Sequence, residues 1–170
     1  MLYKICLLIA AFIPLQSFSQ FNSKSIVGRW EGERIVISKD LFFDIGNKDS
    51  TRKNYTRLYK EGKLGNEDSS TAEMLYKQAM QSLGQMFIEL KDDNTYVTNG
   101  DGMKGTVDNS DVVENGKYSV DIKMKELILI SDQDPKSETR LKIILLIKDK
   151  LSITGHGVRQ FPIITYKRKK

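Results

Sequence analysis

QMFIELKDDNTYVT, residues 85–98, is the stretch whose reading decides the fold. Met86, Ile88 and Leu90 alternate with Phe87 and Glu89, the period of two that a half-buried strand needs. Asp92-Asp93-Asn94 then makes a tight turn, and Thr95-Tyr96-Val97-Thr98 resumes a β-branched and aromatic run. Working outward, the same unit repeats. Asn99-Gly100-Asp101-Gly102 is a strong turn signal. Val112 to Asp121 is a strand that places Tyr118, Val120 and Ile122 on one face. Lys123-Met124-Lys125 turns the chain into Leu127-Ile128-Leu129-Ile130. After a loop from Asp132 to Ser137 comes the longest apolar strand, Leu141 to Ile147, then a turn at Asp149-Lys150 into Leu151 to Thr154. Phe161 to Arg168 follows as the last strand. Short strands at roughly 8–12-residue spacing, joined by short turns, predict an antiparallel up-and-down meander closing on itself, a mainly β fold.

Upstream the pattern is less regular. Ser25 to Ser38 reads as a long first strand whose alternation breaks part-way. Glu31 and Glu33 share a parity with Ile35 and Ile37, and Gly28 and Gly32 allow a bend or bulge that switches the buried face. Leu41 to Ile45 and Tyr55 to Tyr59 read as weaker strands separated by a loop from Gly46 to Asn54. One short amphipathic helix is expected from Thr71 to Leu83. Ser70 with Glu73 forms a capping box, Leu75, Ala79, Leu83 and Met86 recur at helical spacing, and Gly84 is a natural stop.

The N-terminus carries a different signal. Lys4 precedes an apolar run from Ile5 to Leu15, and Ser17-Phe18-Ser19 places small residues where a signal peptidase cuts. Residues 1–19 are therefore expected to be a secretory signal cleaved near Ser19, leaving residues 20–170 as one domain, periplasmic or secreted. The run is short of the roughly 18–20 apolar residues of a membrane span. Cys6, the one cysteine, leaves with the signal, so the core alone must hold the fold and thiolate metal sites are excluded. The net charge of +5 owes much to Lys167, Arg168, Lys169 and Lys170. That basic end offers contact with an anionic envelope surface or serves as a solubilising terminus. An aromatic-basic stripe suited to nucleic acid is absent.

Gly28-Arg29-Trp30 on the first strand of an exported meander resembles the lipocalin Gly-x-Trp motif. The order of later pieces is similar to bacterial lipocalin-like domains: Met86 to Leu90, Asp93-Asn94-Thr95-Tyr96, Gly116-Lys117-Tyr118, Leu127-Ile128-Leu129 and Tyr166-Lys167-Arg168. The resemblance implies a calycin-type barrel with a small interior cavity and, in some members, an apolar ligand. Gly28, Trp30 and Arg168 would form the barrel-closing motif, with Trp30 at the closed end and the Arg168 guanidinium stacked over its ring. The helix-bearing insertion between early strands would occupy the mouth or the base.

Catalytic constellations are sparse. His156, the one histidine, lies in Gly155-His156-Gly157 and reads as a solvated turn residue. There is no Gly-x-Ser-x-Gly elbow. Asp101, Asp108, Asp111 and Glu114 gather along one loop region without the spacing of a calcium loop. No enzyme activity, metal or cofactor is expected. Two functions remain open. One is binding of a small apolar or amphipathic ligand inside the barrel, lined by Ile88, Tyr96, Tyr118, Leu129 and Ile143. The other is a structural or protein-interaction module of the cell envelope whose barrel is filled.

Overall fold

The computed structural model describes residues 23–65, 68–99, 113–155 and 162–170. Its elements are β1 (Gly28–Val36), β2 (Phe42–Asp44), α1 (Lys48–Lys60), α2 (Ser69–Gln85), β3 (Phe87–Leu90) and β4 (Thr95–Thr98). They continue with β5 (Glu114–Asp121), β6 (Glu126–Ser131), β7 (Glu138–Ile147), β8 (Lys150–Gly155) and β9 (Ile163–Arg168). A short 3-10 turn, Ser23–Ile26, precedes β1. From β3 to β9 each strand pairs antiparallel with the next, and β1 lies between β3 and β9. An eight-stranded antiparallel barrel results. Closure removes the open sheet edges that would otherwise seek partners.

The expected break in β1 lies between Gly32 and Arg34, where the register with β9 shifts. The break hands β1 from one neighbour to another. Its first half pairs with β3, from Gly28↔Leu90 to Glu31↔Phe87, and its second half with β2, from Arg34↔Asp44 to Val36↔Phe42. Gly32 is required at the handover. It donates its N–H to the Met86 carbonyl at 2.8 Å, and a Cβ there would stand 2.6 Å from the Leu83 carbonyl oxygen.

Residues directly opposite in an antiparallel pair share a face. The pairs Trp30↔Ile88, Leu90↔Tyr96, Tyr118↔Leu129, Leu127↔Leu141, Ile143↔Ile153 and Leu151↔Tyr166 therefore carry one buried face around the barrel. All of these residues belong to a single hydrophobic cluster. A second cluster joins Phe43, Tyr76 and Leu83, with Ile35, Leu41, Ile45, Tyr55, Ala79 and Met80 packed against it. Ile35 touches both clusters. It pairs with Ile164 on one side and Phe43 on the other, so the helices cover the inner face of the β1–β2 extension, at the end of the barrel away from Trp30.

The insertion holds two helices where one was expected. The run from Tyr55 to Tyr59, read as a strand, lies inside α1, and so does much of the loop read from Gly46 to Asn54. Asn47 caps α1 by accepting from the Ser50 N–H at 3.1 Å. Thr51, Tyr55 and Leu58 then fall on one face, and burial of that face overrides the strand preference of Tyr and Thr. In α2 the cap is Asp68, accepting from the Ser70 and Thr71 N–H groups, rather than Ser70. Glu73 reaches Arg52 of α1 at 3.1 Å instead of closing a capping box. The buried face of α2 is Ala72, Tyr76 and Leu83, and Leu75 is exposed. Of the expected face Ala79 and Leu83 pack in the second cluster and Met86 in the first, while Tyr76 takes the place of Leu75, because the helix lies against β1, β2 and α1, which the helical period alone does not specify.

Candidate functional site

Two regions of the barrel answer to the candidate residues, the end closed by Trp30 and the interior above it. At the closed end the Trp30 indole N–H donates to the Ile26 carbonyl at 2.7 Å. The Arg168 guanidinium lies 4.1 Å from the Trp30 ring centroid. Its Nη1 donates to the Val27 carbonyl at 2.6 Å, Nη2 to the Ser25 carbonyl at 2.5 Å, and Nε to the Lys148 carbonyl at 2.8 Å. One side chain thereby ties the segment before β1, the β7–β8 turn and the end of β9 together. Gly28 makes room for it: its φ is +134°, and a Cβ there would stand 2.6 Å from Arg168 Nη1. Arg168 is thus engaged in closing the barrel and is not part of a free basic tail. Lys167 lies within β9, and Lys169 pairs with Glu31 at 2.9 Å.

Above this end, the fold brings all five interior candidates into one cluster, and there they pack against one another. Ile88 and Tyr96 have no exposed surface, Leu129 and Ile143 have 3%, and Tyr118 has 7%. Side chains lining an open cup would show far more. Leu127, Leu151 and Tyr166, which the sequence reading did not place at the site, are equally closed off. Gly116 is required where β5 passes between β6 and Tyr96, since a Cβ there would clash with the Ile130 carbonyl oxygen and stand 2.9 Å from the Tyr96 ring.

The polar atoms of this interior are mostly turned to its ends. The Tyr96 hydroxyl donates to Glu114 Oε1 at 2.6 Å, and the Tyr118 hydroxyl donates to the Lys91 carbonyl at 2.8 Å. Thr98 Oγ1 donates to the Phe87 carbonyl at 2.6 Å. The Tyr166 hydroxyl is buried and has no hydrogen-bond partner among the described residues. Burial raises the pKa of all three phenols. The Glu114 carboxylate adds to the shift at Tyr96, and Asp92 and Asp93 add to it at Tyr118.

Surface concavities bordered by the described residues include the following two. One, of about 650 Å³, lies along the exposed side of α1 between Arg52, Lys53, Arg57 and Lys60. The other, of about 480 Å³, lies on β4 and β5 between Lys91, Val97, Val113, Lys117 and Asp132. Of the five interior candidates Tyr96 alone borders it. Of the acidic group, Glu114 is described, and its carboxylate holds the Tyr96 hydroxyl. Asp101, Asp108 and Asp111 lie outside the described residues, as do His156 and the export signal expected at residues 1–19.

No family model and no curated protein matches this chain. Among solved structures, a DUF4847 family protein from Bacteroides vulgatus ATCC 8482 is similar, at 12% identity and a TM-score of 0.47. The similarity covers 84% of this chain and 93% of that one. Likeness at that level carries no functional argument. The reading of this site therefore rests on its own geometry.

Proposed function

We propose that this chain is an exported, non-enzymatic barrel module of the cell envelope that acts through its outer surface, its interior serving as core. The supporting observation is the near-complete burial of Ile88, Tyr96, Tyr118, Leu129 and Ile143 against one another. A ligand pocket of the usual size, about 300 Å³ or more, would need several of those side chains to withdraw. Export is proposed from the charged start, short apolar run and small residues that end at Ser19.

One observation favours the rival reading, an interior site for a small apolar or amphipathic molecule. The unpartnered Tyr166 hydroxyl is a donor with nothing to donate to, and a ligand carbonyl or carboxylate would satisfy it. Protein purified from its native host, denatured and extracted into organic solvent, separates the two by mass spectrometry. The filled-barrel reading expects no stoichiometric small molecule. A one-to-one apolar molecule would overturn it in favour of the interior site. In the same sample, a mature N-terminus at Gln20 is the expected mark of export, and an intact Met1 would count against it.

A further inference from the structure

The two sides of α1 differ sharply in chemistry. Thr51, Tyr55 and Leu58 form the side turned to the second cluster and to β2. On the opposite side Lys53, Arg57 and Lys60 stand at i, i+4 and i+7, which sets them in one exposed row. The row is about 10 Å long, two turns of helix. Arg52 flanks it, and the concavity along α1 lies among these four cations.

Their charge is not cancelled by their neighbours. Residues 48–63 hold six Lys and Arg against Asp49 and Glu61. Each carboxylate in ion-pair contact with the row is shared between two cations. Glu61 lies 2.9 Å from both Arg57 and Lys63, and Glu73 lies 3.1 Å from Arg52 and 3.8 Å from Lys77. The Asp68 carboxylate is taken up by Ser70 and Thr71 at the start of α2. Among the described residues Lys53 and Lys60 have no ion-pair partner. With Glu67 included, cations still outnumber carboxylates seven to five between residues 48 and 85.

We infer that the exposed row of α1 binds a linear acidic polysaccharide, the four cations meeting its carboxylates and Asp49 and Thr56 accepting from its hydroxyls. A row of cations two turns long suits the repeating charges of a polymer, whereas a lone phosphate would engage one or two of them. The concavity is lined by Asp49, Thr56 and Glu61 beside the cations, all polar. It therefore lacks the apolar side chains that enter a bilayer and the buried anchors that dominate protein interfaces. Acidic sugars present anionic groups and hydroxyls together, and this lining offers cations and acceptors together. Arg52 and Arg57 each carry five N–H donors, more than one carboxylate can occupy. This docking rests on the outer-surface reading above and gives that surface a partner class. The C-terminal basic run does not compete for the role, since Arg168 is committed to closure and Lys169 to Glu31.

Native affinity electrophoresis of the purified protein tests it. Polygalacturonate in the gel should shift its mobility, uncharged dextran should not, and added salt should relieve the shift. Lys53→Gln combined with Lys60→Gln should weaken binding about tenfold. Both side chains are exposed, and near-ultraviolet circular dichroism should show this variant folded as the parent is. Lys123→Gln combined with Lys125→Gln, in the β5–β6 turn, should leave binding unchanged. No shift with polygalacturonate, or equal loss from the turn variant, would overturn the α1 site. An equal shift with polyglutamate, which carries the charge without the hydroxyls, would overturn the assignment to a polysaccharide. Binding to phosphatidylglycerol vesicles in place of polygalacturonate, lost in the α1 variant, would overturn it in favour of a lipid surface. The solvent extraction reports separately on the interior. A bound small molecule with polygalacturonate binding intact would remove the filled-barrel reading alone, and an empty interior without that binding would remove this docking alone.

Discussion

Gly28 and Arg168 show how much one side chain can require of another. The three carbonyls that receive the Arg168 guanidinium come from Ser25, Val27 and Lys148, and the approach to Val27 passes over the α-carbon of residue 28. An alanine there would meet Arg168 Nη1 and would also sit at a φ that L side chains rarely adopt. Gly28→Ala is therefore expected to cost roughly 2 kcal/mol or more, part from backbone strain and part from displaced charge-assisted hydrogen bonds. Urea unfolding measures it, and a midpoint equal to that of the parent would remove Arg168 from the account of closure. At this scale the resemblance anticipated the stacking of Arg168 over Trp30 and was silent about the carbonyls that hold the guanidinium. Gly28-Arg29-Trp30 and Tyr166-Lys167-Arg168 mark the two strands that meet. That Arg168 would be held by three backbone carbonyls depends on segments far apart in the chain.

Among the elements, α1 is the one whose nature the residues concealed. Its segment contains Tyr55, Thr56 and Tyr59, residues that favour strands, and its mean hydropathy is low. What makes it a helix is a site prepared by β2. Thr51 is fully buried, and its hydroxyl oxygen accepts the Asp44 N–H at 3.0 Å while lying 3.1 Å from the Asn47 carbonyl. Tyr55 then packs at a tilt against Phe43 and Tyr76, with ring centroids 5.9 and 5.5 Å away. Thr51→Val keeps the shape and leaves the Asp44 N–H without that partner. It should cost about 1–2 kcal/mol, read from the thermal midpoint, and a neutral result would mean that the α1–β2 junction rests on the aromatic contacts alone. On α2 the expected face held at Ala79, Leu83 and Met86 and failed at Leu75, for a related reason. Helical spacing admits two neighbouring faces, and only contact with Phe43 and Ile35 selects the one through Tyr76 and Leu83.

For the whole molecule, the interior phenols make stability depend on alkaline pH. Burial raises the pKa of Tyr96, Tyr118 and Tyr166 above the ordinary 10.0. In the unfolded chain these groups lose their protons near that value, while in the fold they keep them, so above it the folded state binds more protons. Their contribution is complete below the unfolded pKa and is lost as pH rises from about 10 toward the folded values. The urea midpoint should hold steady up to about pH 9 and fall steeply beyond pH 10. A flat profile through that range would mean the phenols reach water. At the acid end the sign reverses. Hydrogen bonds from Ser70 and Thr71 lower the pKa of Asp68, and those from Thr95 lower that of Asp93. What those exposed carboxylates contribute is lost as pH falls through their folded pKa values.

By itself the sequence determined the class of fold. Alternation in Met86 to Leu90, the Asp-Asp-Asn turn and the evenly spaced strands after it are local signals, and a meander is built from neighbours in sequence, so local signals suffice. The bend near Gly32 was legible for the same reason. Tertiary structure alone decided how β1 divides its pairing between β3 and β2, which face of each helix is buried, and how closely the interior side chains pack, on which the choice between a cup and a core turns. Those outcomes depend on how side chains from strands far apart fill one volume. Ile88, Tyr96, Tyr118, Leu129 and Ile143 face inward in either case, and the closeness of their packing against Trp30, Leu151 and Tyr166 is a property of the closed barrel, not of any strand read alone.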